Sequence, residues 1–469
     1  MARPRGSVFH LGVSIFNRRS FRDEIAPLRR RATADRAQWA LCFRPIIRMS
    51  LRKLVAACGA VLLSQFATPS ASFAADPPGH WVTAWATALQ PIPQRADLPP
   101  LYRAPDVAGR TVRQIVYPTL SGSAVRLHIS NEYGKEPLVI EDLRINRSAG
   151  GAAAQGGGVR VTFGGKTSVS VPAGGAMESD AVYLNIVDGV PYVISSYMGP
   201  EQRLSAWHRV SNQVNYVSTP GNHAGDSVGD AFRTRFTQYA WVTGLSVDAP
   251  SAVAVAAIGD SITDGMRSSL NQNRRWPDAF ARKLTHSGNR LVAIVNLGIS
   301  GNRLLSDSPC YGDALVKRFD RDALERPAVK TVILLIGIND INFADMPPRA
   351  GLDCDSPHTQ VSAAALIDGY QRVIAAAHQH GVRVFGATLT PAELPPQRES
   401  IRLAVNQWIR VGRVFDGVVD FDAALRDPTQ PERMQRAYDS GDHIHPSDNG
   451  YAAMADAIPL EAVMNSTRK

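Results

Sequence analysis

Ser261 sits in the run Ala257-Ile-Gly-Asp-Ser-Ile-Thr-Asp-Gly265, directly behind a short apolar stretch and between small or polar residues. A serine hydroxyl attacks a carbonyl only with a base to take its proton, and that base needs a group to orient it. Near the other end of the chain lies Asp442-His443-Ile444-His445-Pro446. Asp and His three apart on one loop can present both side chains to the same place. Two histidines compete there: His445 has Asp442 at that spacing, whereas His443 could pair with Asp439. A tetrahedral oxyanion also needs donors. Asn296-Leu-Gly-Ile-Ser-Gly-Asn302 offers a glycine-rich backbone that can approach a ligand closely, and Ile336-Gly-Ile-Asn-Asp340 offers the Asn339 amide. Each of these motifs alone has a bland reading as turn or cap chemistry. Their value lies in where the surrounding elements put them.

From Ala252 onward, short apolar runs without strict alternation recur at Ala252–Ile258, Leu291–Val295, Thr331–Ile336, Val382–Thr388 and Gly417–Phe421. Such runs suit strands buried on both faces. Helical segments fall between them: Trp276–Thr285, Leu315–Leu324, Ser362–His380, Ile401–Val411 and Asn449–Val463, the last behind Ser447 as N-cap. Strands alternating with helices predict a parallel sheet with helices on both faces, a three-layer α/β/α domain over 251–469. In such a sheet ligands bind at the carboxyl ends of the strands. The three polar motifs follow three successive strands there, and the late Asp–His loop precedes the last helix.

Residues 76–250 have another rhythm. Alternating runs at Thr111–Tyr117, Ala124–Ile129, Gly158–Phe163, Ala181–Ile186 and Pro191–Ser196 are separated by Gly, Asn, Ser and Pro clusters. They predict an all-β domain of sandwich or jelly-roll type, with Ala149–Gly158 as a flexible loop and Asp248–Ser251 as the boundary. Its aromatics Trp81, Trp85 and Trp207 read either as core or as a sugar-binding platform, with core the commoner use.

The four catalytic blocks, in this order, resemble the SGNH or GDSL-type family of secreted esterases and lipases from Ala252 to the end. The family's first motif falls on Gly259-Asp260-Ser261, with Ile262 in place of the usual Leu. Its Gly falls on Gly301, its Asn on Asn339, and its Asp-x-x-His on Asp442 and His445. The resemblance implies Ser261 as nucleophile, His445 as general base and Asp442 as the group orienting it. It further implies an oxyanion hole from the backbone N–H groups of Ser261 and Gly301 with the Asn339 amide, and no metal or organic cofactor. Asn273–Asp278 and Gly301–Leu305 are also similar to an arylesterase-like branch of acylhydrolases, in which Trp276 and Arg303 would either line the pocket or pack structurally. The expected activity is hydrolysis of carboxylic esters through an acyl-enzyme, on a short acyl group such as acetyl on a polysaccharide. A lipid ester is the alternative substrate. An inert, secreted glycan-binding protein is the rival function.

Charge narrows the partners. The chain's 469 residues carry a net charge of +9, but residues 1–48 hold eleven arginines against three acids. From Asp76 onward the balance is 38 basic to 39 acidic residues. A nucleic-acid binder would carry its basic excess in the folded body, so that class is excluded. Met49-Ser-Leu-Arg-Lys53 followed by the apolar Leu54–Leu63 and by Ser72-Phe-Ala74 reads as a secretory leader over 49–74, cleaved before Ala75. It is too short to span a membrane, and residues 1–48 read as an over-extended start. A lipoprotein box at Val55–Cys58 is the lesser reading. Loss of the leader leaves Cys310 and Cys354, an even pair in an oxidising compartment, expected as one disulfide. No cysteine or histidine spacing suits zinc.

Overall fold

A computed structural model describes residues 79–467. The leader, the residues before it and the lipoprotein box at Cys58 lie outside the described residues. The described residues belong to one compact unit.

Its carboxyl-terminal half is built on five parallel strands: Val253–Gly259, Val292–Gly298, Val329–Leu335, Arg383–Ala387 and Gly417–Val419. The apolar runs cause this directly. Ala254 to Ile258 are all fully buried, as strands covered on both faces require. Spatial order places Val253–Gly259 between Val292–Gly298 on one side and Val329–Leu335 on the other, with the fourth and fifth strands beyond. The chain thus leaves the first strand in one direction for the second and reverses for the third. A crevice opens where strand order reverses, at the carboxyl ends. Those ends are in register: Gly259 pairs with Gly298 and with Leu335. The helices Trp276–His286 and Asp448–Ala457 pack together, and separately Ala363–Gln379 packs with Pro396–Val411.

Strand and helix ends differ from the sequence expectation where local chemistry decides. Helix Pro396–Val411 starts five residues earlier than the apolar period, with proline in its first turn, where the ring's fixed φ and missing N–H cost nothing. The terminal helix is two, Asp448–Ala457 and Leu460–Thr467. Pro459 lies between them and lacks the N–H that a continuous helix would need. Leu315–Phe319 is α-helical but Asp320–Leu324 widens to a π turn.

The other half is antiparallel. One sheet orders Trp81–Ala86, Val242–Asp248, Val125–Ser130 and Ala176–Glu178. A larger one orders Thr234–Phe236, Asn215–Pro220, Arg110–Val116, Tyr192–Met198, Leu138–Gly150 and Ala153–Ala154. Two expectations are corrected here. Ala181–Ile186 is no strand: it keeps Val182 and Ile186 buried, and its ladder contacts are isolated bridges from Val182 to Val125 and from Ile186 to Gly122. Ala149–Gly158 is not a loose loop, because it turns the long strand back on itself, pairing Ser148 with Ala154.

Both halves share one apolar core. The Trp81–Ala86 strand packs along Val292–Gly298. Between them, Thr119 Oγ1 lies 2.9 Å from the Ile294 carbonyl and accepts from Ile294 N–H at 3.0 Å. Thr83 N–H donates to the Pro327 carbonyl at 3.1 Å. Trp85 and Trp207 are 7% and 1% exposed, so they are core and not a sugar platform. Trp81 is partly buried under the Arg126 guanidinium.

Candidate active site

Ser261 opens a single helical turn, Ser261–Asp264, immediately after the first parallel strand. Asp260 caps that turn, its Oδ1 accepting from Ile262 N–H at 3.0 Å. The approach depends on Gly259: a Cβ there would stand 1.9 Å from the Leu335 carbonyl oxygen. The turn ends at Gly265, with φ +94°.

Ser261 Oγ lies 2.8 Å from His445 Nε2, and His445 Nδ1 lies 2.9 Å from Asp442 Oδ2. The structure therefore brings together the three residues expected from sequence, 184 positions apart along the chain at their widest hydrogen bond. The loop is self-templated. Asp442 Oδ1 accepts from the backbone N–H of Ile444 at 3.1 Å and of His445 at 2.8 Å, which fixes the carboxylate beside the ring. Ser447 then caps the Asp448–Ala457 helix. His443 pairs with Asp439 at 2.7 Å, as its spacing allowed, but its side chain is 62% exposed and no bond joins it to Ser261. Burial alone would raise the Asp442 carboxyl. The bonds from the His445 ring and from the two backbone N–H groups outweigh it and hold Asp442 well below the usual carboxylate range.

The second and third strand ends supply the neighbouring walls. Gly301 has φ +85°, and a Cβ there would meet the Tyr311 ring at 2.5 Å, so only glycine permits this packing. Asn339 donates one amide N–H to the Asn302 carbonyl at 3.0 Å, and a primary amide carries a second. Asp340 draws the two blocks together: its Oδ2 accepts from Leu304 N–H at 2.7 Å and its Oδ1 from Leu305 N–H at 3.0 Å. Burial pushes Asp340 up to about 6, against the pull of those N–H groups. Burial likewise pushes Asp260 up to about 7.

Several positioning residues were missed in sequence. Asp264, in the first motif itself, accepts from Ser300 N–H at 2.9 Å, from Ser300 Oγ at 2.5 Å and faces His208 Nε2 at 3.0 Å. Arg318 is fully buried and donates to the strand-end carbonyls of Gly259 (2.9 Å) and Leu297 (3.0 Å) while pairing with Asp322. Arg267 Nε donates to Asp442 Oδ2 at 3.0 Å. The Asp264 and Asp340 roles were within reach, since both acids end quoted motifs. Nothing near His208 signals its role, because its partner lies 56 residues downstream.

Two residues suspected of lining a pocket do not. Trp276 is fully buried against Phe421, with ring centroids 5.3 Å apart. Arg303 is buried and its guanidinium donates to the carbonyls of Asp355, Pro357 and Asp307 at 3.1, 3.0 and 2.8 Å, tying two loops. Cys310 and Cys354 are bridged, and their disulfide joins those same loops beside Tyr311. Among the described residues, no group of three or more His, Cys, Asp or Glu side chains could hold a metal ion, and no helix is long and apolar enough to cross a membrane.

A hydroxyl bonded to an imidazole whose far nitrogen rests on a carboxylate is equipped for nucleophilic acyl transfer. Residues 257–453 match the model of the GDSL-like lipase/acylhydrolase family. No curated protein matches the chain. Among solved structures, it is similar to a catalytic mutant of an acetylxylan esterase from Geobacillus stearothermophilus, at 20% identity and TM-score 0.34, over 46% of this chain and 95% of that one. It is also similar to a psychrotrophic esterase from Pseudoalteromonas, at 12% identity and TM-score 0.33, over 46% and 99%. An α/β hydrolase from the Lake Arreo metagenome matches at 19% identity and TM-score 0.34, over 45% and 96%.

Proposed function

Starting from a chain whose residues 257–453 are a GDSL-like lipase/acylhydrolase domain, a hydrolase of ester bonds, we propose an exported serine esterase that works through an acyl-enzyme on small acyl groups. The single observation carrying this reading is the continuous relay from Ser261 Oγ through the His445 ring to Asp442, at 2.8 and 2.9 Å.

In the proposed cycle Ser261 Oγ attacks the ester carbonyl as His445 Nε2 takes its proton. Asp442 keeps Nδ1 protonated and stabilises the imidazolium. The oxyanion is held by the backbone N–H of Ser261 and Gly301 and by the second Asn339 N–H. His445 returns its proton to the leaving alcohol, the C–O bond breaks, and the acyl group stays on Ser261. Water, deprotonated by the same ring, attacks the acyl-enzyme and releases the acid. The proposed substrate carries a small acyl group, such as acetyl on a polysaccharide; a long lipid chain is the alternative.

Hydrolysis of p-nitrophenyl esters from acetate to palmitate by the purified chain, beside Ser261→Ala, tests the reading. Rates falling with acyl length and dropping on the order of 10²-fold or more in the variant are expected. Rates rising with length would move the substrate to lipids, and equal inertness of both proteins would favour a binding role. Amino-terminal sequencing of the exported protein, expected to begin at Ala75, tests export.

A further inference from the structure

Next to His208 stands an arginine that the catalytic cycle leaves unused. Arg209 is only 9% exposed. Its guanidinium lies over two tyrosine rings, with Cζ 5.3 Å from the Tyr102 ring centroid and 5.7 Å from that of Tyr311. Tyr311 is the ring packed on Gly301. A ring π-face near a guanidinium attracts its charge but accepts no in-plane N–H···O bond, so its five N–H donors still call for acceptors. Among the described residues nothing accepts from those donors: Nε is buried without a partner, and no hydrogen bond or ion pair involves the terminal nitrogens. Equally buried arginines behave differently. Arg275 holds Asp278, Arg318 holds Asp322, and Arg402 holds Glu399 and Asp422.

A guanidinium Nε withdrawn from water without an acceptor is costly, and a planar carboxylate is the group that answers the fork it forms with a terminal nitrogen, through two parallel N–H···O bonds. The placement follows from the fold. The pairing of Ala206–Trp207 with Gln90–Pro91 and the hold of Asp264 on His208 fix the chain immediately before Arg209. The side chain then lies over Tyr102 and over a tyrosine whose own loop is fastened by the Cys310–Cys354 bridge. Such a setting pre-organises a fork of donors on the Gly301 side of the site, and pre-organised donors lose little freedom when a ligand arrives.

We propose that Arg209 is the receptor for a free carboxylate on the substrate, so that the preferred esters are those of acidic molecules: the half-ester of a diacid, or an acyl group carried on an acidic sugar. This rests on the esterase reading and sharpens its substrate class. The β-rich half then contributes substrate selection to a reaction whose reacting groups all come from the other half.

The test compares wild type with Arg209→Gln on matched pairs of esters. For a carboxylate on the acyl side, p-nitrophenyl hemisuccinate is set against p-nitrophenyl butyrate. For one on the alcohol side, m-carboxy-p-nitrophenyl acetate is set against p-nitrophenyl acetate. In one pair, the carboxylated-to-neutral ratio of kcat/KM should fall about tenfold or more in Arg209→Gln, chiefly through KM, with partial recovery in Arg209→Lys, which keeps the charge but not the fork. Ratios unchanged in both pairs would overturn the proposal. Should Arg209→Gln fail to fold, or should no ester be turned over, thermal unfolding of the full chain carrying Ser261→Ala decides without catalysis. Succinate should raise its midpoint saturably and succinamide should not; equal responses to the two would overturn the proposal while leaving the ester-hydrolysis results to judge the esterase reading.

Discussion

His208 Nε2 lies 3.0 Å from Asp264 Oδ1, and the two side chains are 4% and 2% exposed. His208 belongs to the β-rich half; Asp264 closes the helical turn that Ser261 opens. The other Asp264 oxygen accepts from both the N–H and the hydroxyl of Ser300, the residue before Gly301. One carboxylate therefore sets the Ser261 turn, the Ser300–Gly301 loop and the β-rich half relative to one another. Asn212 reinforces the joint by donating to the Gly265 carbonyl at 2.6 Å.

Asp264→Ala should leave two buried donors of Ser300 without their acceptor, while His208 Nε2 keeps the Val210 carbonyl at 3.0 Å. Each such group costs about 1–3 kcal/mol, so urea unfolding should show a loss of about 2 kcal/mol or more. The damage should also reach catalysis, because the Gly301 loop loses its anchor: kcat on p-nitrophenyl acetate should fall while the variant is still folded at low temperature. A variant that loses stability but keeps full kcat would limit Asp264 to packing.

Separating the halves should fail. Val82 and Ala84 are fully buried in a strand packed along the Val292–Gly298 strand, and the Thr119 hydroxyl bridges both halves. Residues 251–469 alone would expose that apolar face and orphan the Ile294 backbone. Such a fragment should show no cooperative thermal unfolding and should be cut rapidly by protease. A fragment with a sharp transition and esterase activity would show that the β-rich half is an accessory.

The catalytic half was legible because its determinants are local. Ser261, Gly301 and Asn339 sit in motifs at three successive strand ends, and Asp442 reaches His445 within one turn. The runs that became the five parallel strands carry nothing but their own burial pattern. Legibility failed where a role depends on contacts distant in sequence. His208 and Arg209 belong to a stretch with no motif, and their partners Asp264, Tyr102 and Tyr311 come from elsewhere in the chain. Trp276 and Arg303 looked like pocket residues because they stand close to motifs, yet one fills the core and the other ties loops. Ala181–Ile186 alternates like a strand because two of its side chains are buried, but its backbone has no continuous partner.

Stability should fall as pH rises through the range where Asp260 titrates. Its carboxyl is buried, Oδ2 has no partner, and burial pushes it up to about 7 from an ordinary 3.8. Between those values the folded chain keeps a proton that the unfolded chain has released. The contribution is thus full below about pH 4, declines by roughly 1.4 kcal/mol per pH unit and levels off above about pH 7. Urea unfolding at pH 5 and 8 should show this decline, and Asp260→Asn should flatten it. Buried Asp340, raised to about 6, adds a decline of the same sign that persists in the variant. An identical pH slope in wild type and Asp260→Asn would contradict the assignment.

Two neighbours of Asp442 Oδ2 allow the relay to be dissected. His445 Nδ1 at 2.9 Å and Arg267 Nε at 3.0 Å share that one oxygen. Asp442→Asn removes the acceptor that fixes the imidazole's tautomer and leaves an amide that can present a donor instead. The expected loss in kcat is on the order of 10⁴-fold at neutral pH. The Arg267 side chain is 59% exposed, and an exposed ion pair is worth about 0–1 kcal/mol. Arg267→Ala should therefore change kcat/KM by no more than about fivefold, and added salt should shrink the difference. Rate profiles of both variants on p-nitrophenyl acetate check this. A loss from Arg267→Ala comparable to that from Asp442→Asn would mean that the exposed guanidinium, and not the loop backbone, keeps the carboxylate aligned with His445.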